Sequence, residues 1–257
     1  MAHWIVWLSV FILGIIVGSF LTVCVHRVPN GRSIVAPRSA CPDCGEPISW
    51  YDNVPLLSFF WLKGQCRACE RAIAPRYPII ELINGLGYLL VVWRFGFTWS
   101  TMVYAGLFSV FWVVTWIDWD YKIIPDVITL PGIVIGFLCG SFVLSTGWLN
   151  SLLGILVGGG ILLALAWISP YIFGKEGMGG GDIKFLAMVG AFLGWQQAFI
   201  TLMIASVFGA VIGIGLLTLK IMKKGEYIPF GPYLALGAFI AMIWGTDIWQ
   251  WYFRGLV

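Results

Sequence analysis

The stretch WIVWLSVFILGIIVGSFLTVCV, residues 4–25, decides the class of fold because it is continuously apolar and carries no charged side chain. An α-helix rises about 1.5 Å per residue, so a stretch of this length spans the roughly 30 Å hydrocarbon core of a bilayer. A removable signal peptide is the competing interpretation, but the run is long and no small-residue cleavage site precedes His26. We therefore predict a first transmembrane helix within residues 1–26.

The rest of the chain has the same apolar character. Of its 257 residues, 60% are hydrophobic and 11% are charged, and the mean hydropathy is +0.92. This composition excludes an ordinary soluble globule and indicates an all-α polytopic membrane protein. Further apolar runs bring the predicted number of transmembrane helices to about eight, and they lie near residues 79–94, 100–118, 125–144, 150–173, 183–194, 196–221 and 231–253.

The positions of lysine and arginine predict the orientation of the chain, since basic residues are retained on the cytoplasmic side of a membrane. With the N-terminus outside, the first loop is cytoplasmic and holds a set of basic residues: Arg27, Arg32, Arg38, Lys63, Arg67, Arg71 and Arg76. Only Arg94 and Arg254 then fall on the opposite side. The sequence pI near 8.5 thus reflects topology and gives no reason to expect nucleic-acid binding.

One sizeable polar segment, residues 27–77, separates the first two predicted spans and contains two CxxC pairs. Each CxxC turn can present two sulfurs to one metal ion, and the pairs together predict a tetrahedral zinc site of four thiolates: Cys41, Cys44, Cys66 and Cys69. Two disulfides are the alternative, although thiols stay reduced in the cytoplasm. Four thiolates close the coordination shell, so the predicted zinc is structural and stabilises a segment too small for a large apolar core.

The remaining cysteines and histidines offer little catalytic chemistry. Cys24 and Cys139 fall inside predicted spans, where a free cysteine is typically a small buried hydrophobic residue. His3 and His26 are the only histidines, and the sequence contains neither a GxSxG nor an HExxH pattern. These observations argue against histidine-based hydrolysis.

Acidic residues near the ends of spans are the strongest functional candidates, because a charge at membrane depth is costly. They occur in TWIDWDYKIIPD, residues 115–126, and in GMGGGDIKF, residues 177–185. The predicted topology brings both stretches to the same membrane face, so that a carboxylate from each can meet at one depth. Such a pair suits an aspartyl protease, in which one carboxylate activates water while the other, protonated, donates to the scissile carbonyl.

The first of these stretches offers three aspartates. On a continuous helix, Asp118 and Asp120 point about 200° apart, so that both cannot face the same neighbour. Asp126 follows Pro125 at the start of an apolar run, a position typical of the first turn of a new helix.

Asp182, in the second stretch, also has a structural alternative, since an aspartate before an apolar helical run suits an N-cap. The neighbouring glycines, Gly177, Gly179, Gly180 and Gly181, favour instead a backbone that another chain approaches closely. A phosphate-binding loop is not supported, because no strand precedes the glycines and the GK[ST] ending is absent.

These motifs resemble those of the type IV prepilin peptidases, polytopic aspartyl proteases that also act as N-methyltransferases. The family's GxGD motif is matched by residues 179–182 and is followed by Lys184 in the form GDxK. Its D-x6-[IL]-P-[DN] pattern is matched by Asp118, Pro125 and Asp126. The resemblance extends to GSFLTVCVHRVP at 18–29 and to nearly all of residues 41–81, and therefore covers most of the chain in the expected order.

The resemblance implies that proteolysis and methylation depend on different parts of the chain. Residues 78–257 would form the transmembrane aspartyl protease core, with Asp118 and Asp182 as the catalytic pair and Asp120 outside the motif. The substrate backbone would lie against a loop formed by Gly179, Gly180, Gly181 and Lys184. Residues 27–77 would form a cytoplasmic four-cysteine zinc domain linked to N-methylation, with S-adenosylmethionine as the methyl donor.

The expected partners are prepilins or pseudopilins and the lipid bilayer of the bacterial inner membrane, with the N-terminus periplasmic. The family's cut falls between Gly and Phe of the substrate, ahead of its hydrophobic helix. Thr22 departs from the family pattern, which commonly has Asn, and this makes methylation less secure than proteolysis. Acidic candidates for methyl transfer are Glu46, Asp52 and Glu81.

Two other classes of function fit parts of the pattern. A proton- or cation-coupled carrier would use intramembrane aspartates to bind ions, but both acidic sites lie at one face and no repeated half is present. A catalytically silent membrane scaffold would process no substrate with or without the aspartates.

Overall fold

A computed structural model describes residues 3–173, 178–221 and 228–254. Helices account for all the regular secondary structure in these ranges apart from two isolated β-bridges in the polar segment. Gly177 of the predicted glycine loop lies outside the described residues. The α-helices are α1 His3–Arg27, α2 Leu57–Trp61, α3 Arg76–Phe95, α4 Trp99–Tyr121, α5 Asp126–Phe142, α6 Trp148–Phe173, α7 Gly180–Leu193, α8 Trp195–Thr218 and α9 Gly231–Arg254.

Six helices in the described part of the chain, α1, α3, α4, α6, α8 and α9, are long and apolar enough to cross a membrane. This confirms the all-α polytopic class. The other two helices behind the predicted total are shorter, since α5 has 17 residues and α7 has 14. A span of the hydrocarbon core takes about 20 helical residues. The number eight therefore stays a prediction.

Turn residues set several helix ends. Gly96 adopts a positive φ of 68° directly after α3, and Gly194 adopts 89° between α7 and α8. Glycine reaches this region without the steric cost that a Cβ imposes, which allows the chain to reverse within one residue. Pro125, in extended conformation, precedes the first residue of α5, Asp126, as predicted.

Contacts divide the chain into two compact units, Met1–Val113 and Val114–Val257. In the first unit, α1 packs on α3 at very short range. A Cβ added at Gly14 would lie 2.7 Å from Gly85 Cα, so glycine is required for this approach. The buried Asn84 side chain donates to the Gly14 carbonyl at 2.7 Å and accepts from Ser109 Oγ at 3.0 Å. A satisfied polar network thus links α1, α3 and α4.

In the second unit, α7 is the central helix and packs against α5, α6, α8 and α9. Its residues from Phe185 to Leu193 are all buried. The backbones of Gly154 in α6 and Gly190 in α7 touch without an intervening side chain, and Ser151 Oγ donates to the Ala191 carbonyl at 2.6 Å. This packing holds the N-terminus of α7 in a defined place, and that terminus carries Asp182.

Candidate active site and metal centre

Asp118 lies in the last turn of α4 and is only 3% exposed. The backbone N–H of Gly231, the first residue of α9, donates to Asp118 Oδ2 at 2.8 Å. The N-terminus of a helix carries unpaired N–H groups and partial positive charge, both of which stabilise a carboxylate. The start of α9 therefore orients the buried Asp118 carboxyl group.

Sequence reasoning missed Gly231. A Cβ at this position would lie 2.6 Å from Asp118 Oδ2, so any larger residue would push the carboxyl group away. The available signal was PFGPY at 229–233, in which a glycine between prolines starts an apolar run. Nothing in that signal pointed to an aspartate that lies 113 positions earlier in the chain.

Asp182 is the third residue of α7 and is 5% exposed. The N-cap is Gly179, in extended conformation, so the N-cap alternative for Asp182 is wrong. The Asp182 carboxyl group instead interacts with the Gly179 N–H, as the third helical residue does in a capping box.

The two aspartates are neighbours in the fold. The charge of Asp118 acts on the Asp182 carboxyl group, and both side chains are buried. Neighbouring buried carboxyl groups favour sharing one proton, which is the arrangement that aspartyl proteolysis uses. Asp120, in contrast, is exposed, as expected from its position on the opposite side of α4.

Lys184 and Asp126 form a bidentate ion pair, because Lys184 Nζ lies 2.7 Å from both carboxylate oxygens of Asp126. Both side chains are partly exposed, so the pair contributes little to stability. Its effect is geometric, since it links the first residue of α5 to the second turn of α7, two residues after Asp182. The structure thus places Lys184 against Asp126, a pairing that the sequence did not predict.

The four predicted zinc ligands lie together. The Sγ atoms of Cys41, Cys44, Cys66 and Cys69 are all within 4.8 Å of one another, and Cys41 and Cys69 are 3.8 Å apart. Four sulfurs at about 2.3 Å from a zinc ion are separated by about 3.8 Å in a regular tetrahedron. The donor set and its spacing therefore fit a structural zinc ion, and all four cysteines are free of disulfides.

Each CxxC pair folds as the same turn. Cys41 N donates to Glu46 O and Gly45 N to Cys41 O, and the second pair repeats both bonds through Cys66, Glu70 and Arg71. The N–H groups of Cys44 and Asp43 lower the pKa of the Cys41 thiol to about 7. In the same cluster, burial and the neighbouring sulfurs raise the pKa of Cys69 to about 12, so the backbone turn favours the metal-binding thiolate form at Cys41.

Comparison with known proteins agrees with this geometry. Residues 12–95 match the Bacterial Peptidase A24 N-terminal domain, and residues 105–214 match the Type IV leader peptidase family. Two relatives are named prepilin leader peptidase/N-methyltransferase. The one from Aeromonas salmonicida (strain A449) is 38% identical to this chain, and the alignment covers 98% of this chain and 96% of the relative. The one from Pseudomonas aeruginosa is 37% identical, and the alignment covers 96% of this chain and 93% of the relative. No solved structure matches the chain.

The chain belongs to the type IV leader peptidase family. The comparisons give no support to the carrier alternative. Both aspartate-bearing stretches, residues 115–126 and 177–185, lie within residues 105–214, which match the family model.

The GxGD spacing of the leader peptidase family has a steric reason in this structure. A Cβ on Gly181 would lie 3.0 Å from Ile124 Cβ and 3.2 Å from the Ile124 carbonyl, whereas a Cβ on Gly180 would meet nothing within 4 Å. Gly181 therefore lets α7 approach the segment that joins α4 to α5. Gly180, at the variable position of the motif, has space for a side chain.

Gly181→Ala is therefore expected to lower leader cleavage about tenfold by shifting Asp182 relative to Asp118, since small misplacements of reacting groups have large kinetic effects. Gly160→Ala in α6 is the control, because a Cβ there also meets nothing within 4 Å, and it should retain the parent rate. Initial rates of prepilin cleavage in detergent measure both. Equal rates for the two variants would contradict the steric explanation.

Gly231→Ala is expected to reduce cleavage about a hundredfold, because its Cβ would displace the Asp118 carboxyl group. Gly215→Ala is a suitable control, since a Cβ there meets nothing within 4 Å. The measurement is the cleavage rate together with the thermal unfolding temperature of each variant. A parent-like rate for Gly231→Ala would show that the α9 terminus does not orient Asp118.

The acidic candidates for methyl transfer have different surroundings in this leader peptidase. Asp52 accepts two hydrogen bonds from Arg67, at 2.6 and 2.8 Å, and these lower its pKa. The buried Glu81 accepts the Leu56 N–H at 2.8 Å. Glu46 is exposed. The contacts give Asp52 and Glu81 structural roles in holding the polar segment together.

Thr22 uses its hydroxyl group within its own helix, where Oγ1 donates to the Ser19 carbonyl at 2.7 Å. The prediction that Thr22 weakens methylation is untested by this contact and stays a prediction.

Proposed function

We infer that this chain is a membrane-embedded aspartic endopeptidase that removes the basic leader from prepilins or pseudopilins and N-methylates the new N-terminus. The observation that carries this inference is the pairing of two buried carboxyl groups, Asp118 and Asp182, in a member of the type IV leader peptidase family. The side chains come from different helices, and each meets a backbone N–H at the start of a helix.

The proposed cleavage step uses the pair as one acid and one base. The ionised carboxylate takes a proton from a water molecule as the water oxygen bonds to the scissile carbonyl carbon. The protonated partner donates its proton to the carbonyl oxygen, which gives a neutral tetrahedral intermediate. Breaking the C–N bond then requires a proton on the leaving nitrogen, which the carboxyl group that took its proton from water supplies. The other carboxylate takes a proton from a hydroxyl group of the intermediate, so the carboxylic acid product forms and the pair returns to its starting protonation.

The position of the site suits such a substrate. A prepilin has a charged leader outside the bilayer and an apolar helix within it, so its cleavage site rests near the membrane surface. Asp118 lies three residues before the end of the candidate span α4, Trp99–Tyr121, which places the pair near one membrane face. The first residues of α7, from Gly180 onward, would then lie against the extended scissile segment.

For methylation, we propose that the four-cysteine segment, residues 27–77, is the region linked to the second activity and that a structural zinc ion holds its two CxxC turns together. S-adenosylmethionine, the donor implied by this activity, supplies a methyl group to the neutral amine exposed by cleavage. The fold of the segment around Arg67, Asp52 and Glu81 supports a stable platform beside α1 and α3.

We also propose that the chain lies in the bacterial inner membrane with its N-terminus periplasmic and the four-cysteine segment cytoplasmic. The excess of lysine and arginine between α1 and α3 supports this orientation.

The test is incubation of the purified protein with a full-length prepilin and S-adenosylmethionine, followed by mass spectrometry of the pilin N-terminus. We expect loss of the leader and a mature N-terminus heavier by one methyl group. Omission of S-adenosylmethionine should leave the leader cleaved and the N-terminus unmethylated. An intact prepilin after incubation with folded protein would contradict the proposal.

A further inference from the structure

The short helix α2 presents an apolar face that no other described part of the chain covers. Leu57, Phe60 and Trp61 are 66%, 73% and 83% exposed. They follow the i, i+3, i+4 spacing that places side chains on one side of a helix. We refer to these three residues as the α2 apolar face. Because this face is apolar and exposed in an otherwise polar segment between α1 and α3, we expect another molecule to contact it.

A single hydrogen bond fixes the level of α2 along α3. The backbone N–H of Leu56, the residue before α2, donates to Glu81 Oε2 at 2.8 Å, and Glu81 is 8% exposed. Glu81 is the sixth residue of α3, so it lies about 7 Å along the helix axis from the first. Glu81 Cα also packs directly against Gly18 of α1. The start of α2 is therefore held at the level where α3 packs on α1.

The length of α3 relates this level to the bilayer. The helix has 20 residues, from Arg76 to Phe95, and crossing a hydrocarbon core of about 30 Å takes about 20 residues. The whole of α3 is thus needed for the crossing, and its first residues lie at the boundary of the core. Glu81, and with it the start of α2, consequently lies inside that boundary.

Several backbone groups around α2 are paired internally, as is needed for a polypeptide at this depth. Ser58 Oγ accepts the Val54 N–H at 2.9 Å and donates to the Tyr51 carbonyl at 3.2 Å. The Leu62 N–H donates to the Ser58 carbonyl at 2.9 Å. Together with the Glu81 contact, these bonds close the turn on both sides of α2.

We propose that the α2 apolar face inserts into the bilayer and contacts the acyl chains of phospholipids in the leaflet next to the four-cysteine segment. Part of the polar segment is then a shallow membrane-inserted turn rather than a domain held wholly in solvent. The chemistry fits, because Trp, Phe and Leu are typical of interfacial insertion. The exposed Lys63, directly after Leu62, extends toward the headgroups at the same level.

A lipid occupant is favoured over a protein because the surface continues one that already faces lipid. Ile79 and Leu82 of α3, on either side of the Glu81 level, are 44% and 41% exposed on a candidate membrane span. Because Leu56 is hydrogen-bonded to Glu81 at this level of α3, a bilayer that reaches Ile79 and Leu82 also reaches the level of α2. A prepilin or a second copy of this chain would have to displace that lipid.

The experiment places the photoreactive amino acid p-benzoylphenylalanine at Phe60 or Trp61 of the full-length protein. The variants are reconstituted in vesicles of phosphatidylethanolamine and phosphatidylglycerol and irradiated. Glu46, exposed in the first CxxC turn, provides the control position. We expect mass spectrometry to detect phospholipid adducts at Phe60 and Trp61 and none above background at Glu46.

Two results would overturn the proposal. One is an absence of lipid adducts at both Phe60 and Trp61 in protein that still cleaves prepilin. The other is cross-linking of these positions to a second copy of the chain or to added prepilin in place of lipid.

A second variant tests the depth argument separately. Glu81→Ala removes the acceptor for the Leu56 N–H and should lower the lipid adduct yield at Phe60, whereas Glu81→Gln retains an acceptor oxygen and should preserve it. Equal yields in both variants would show that Glu81 does not hold α2 in the membrane.

Discussion

Replacing Asp118 or Asp182 with asparagine is expected to lower prepilin cleavage about a thousandfold or more. An asparagine side chain keeps the size of aspartate but can neither take a proton from water nor donate one to the carbonyl oxygen, and acid–base catalysis of this kind contributes about 10²–10⁴-fold to a rate. Both carboxyl groups are needed for one cycle, so the double variant should be no slower than the slower single variant.

The measurement is the single-turnover rate of leader removal by each purified variant, with thermal unfolding as the test of folding. Asp120→Asn is the matched control, because Asp120 lies two residues from Asp118 on the same helix but is exposed. It should cleave at close to the parent rate. Methylation of a pilin peptide that already lacks its leader should persist in all three variants. Parent-like cleavage by Asp182→Asn would return that residue to a purely structural role.

The choice between Asp118 and Asp120 shows what helical geometry can determine in advance. Two residues two positions apart on a helix face different directions, and the structure indeed buries one while it exposes the other. Asp182 was selected for a different reason, because a carboxylate near membrane depth is costly and usually functional, and the structure buries it. Helical geometry therefore separates Asp118 from Asp120, whereas the choice of Asp118 as the catalytic candidate depended on its match to the family's D-x6-[IL]-P-[DN] pattern.

Gly231 could not be found in that way. Its contribution is a backbone N–H, which every residue except proline possesses, and its partner Asp118 is distant in the sequence. Only the three-dimensional fold shows that the space at this N–H is too small for a side chain. The pairing of Lys184 with Asp126 was missed for a related reason, because the sequence does not specify how two helix N-termini are oriented.

The short apolar run of α2 could not be recognised from the polar segment's average hydropathy. Hydropathy identifies residues 27–77 as polar on average, and this average conceals the short apolar run around α2. The position of α2 along α3 is set by one hydrogen bond between Leu56 and Glu81. From the sequence alone, an acidic residue such as Glu81 would be expected to be solvent-exposed or catalytic. Glu81 is instead a buried acceptor for a backbone N–H that would otherwise lack a partner at that depth.

Cys41→Ser is expected to abolish stoichiometric zinc binding and to unfold the four-cysteine segment. Structural zinc sites contribute about 10–16 kcal/mol of apparent binding free energy, which is comparable with the total stability of about 5–15 kcal/mol of a small domain. A segment with few buried side chains has little else to offset that loss. Cys41 is the best ligand to change, because it is buried and lies close to the opposite pair, 3.8 Å from Cys69.

The readouts are metal content by mass spectrometry, limited proteolysis between α1 and α3, and the two activities measured separately. Cys139→Ser is the matched control, since Cys139 is a free cysteine of α5 that is not one of the four clustered cysteines. We expect Cys41→Ser to lose zinc, to become protease-sensitive within residues 28–75 and to lose methylation, while retaining cleavage through the aspartate pair. Full zinc content in Cys41→Ser, or unchanged protease resistance after zinc removal, would show that the metal is not what folds this segment.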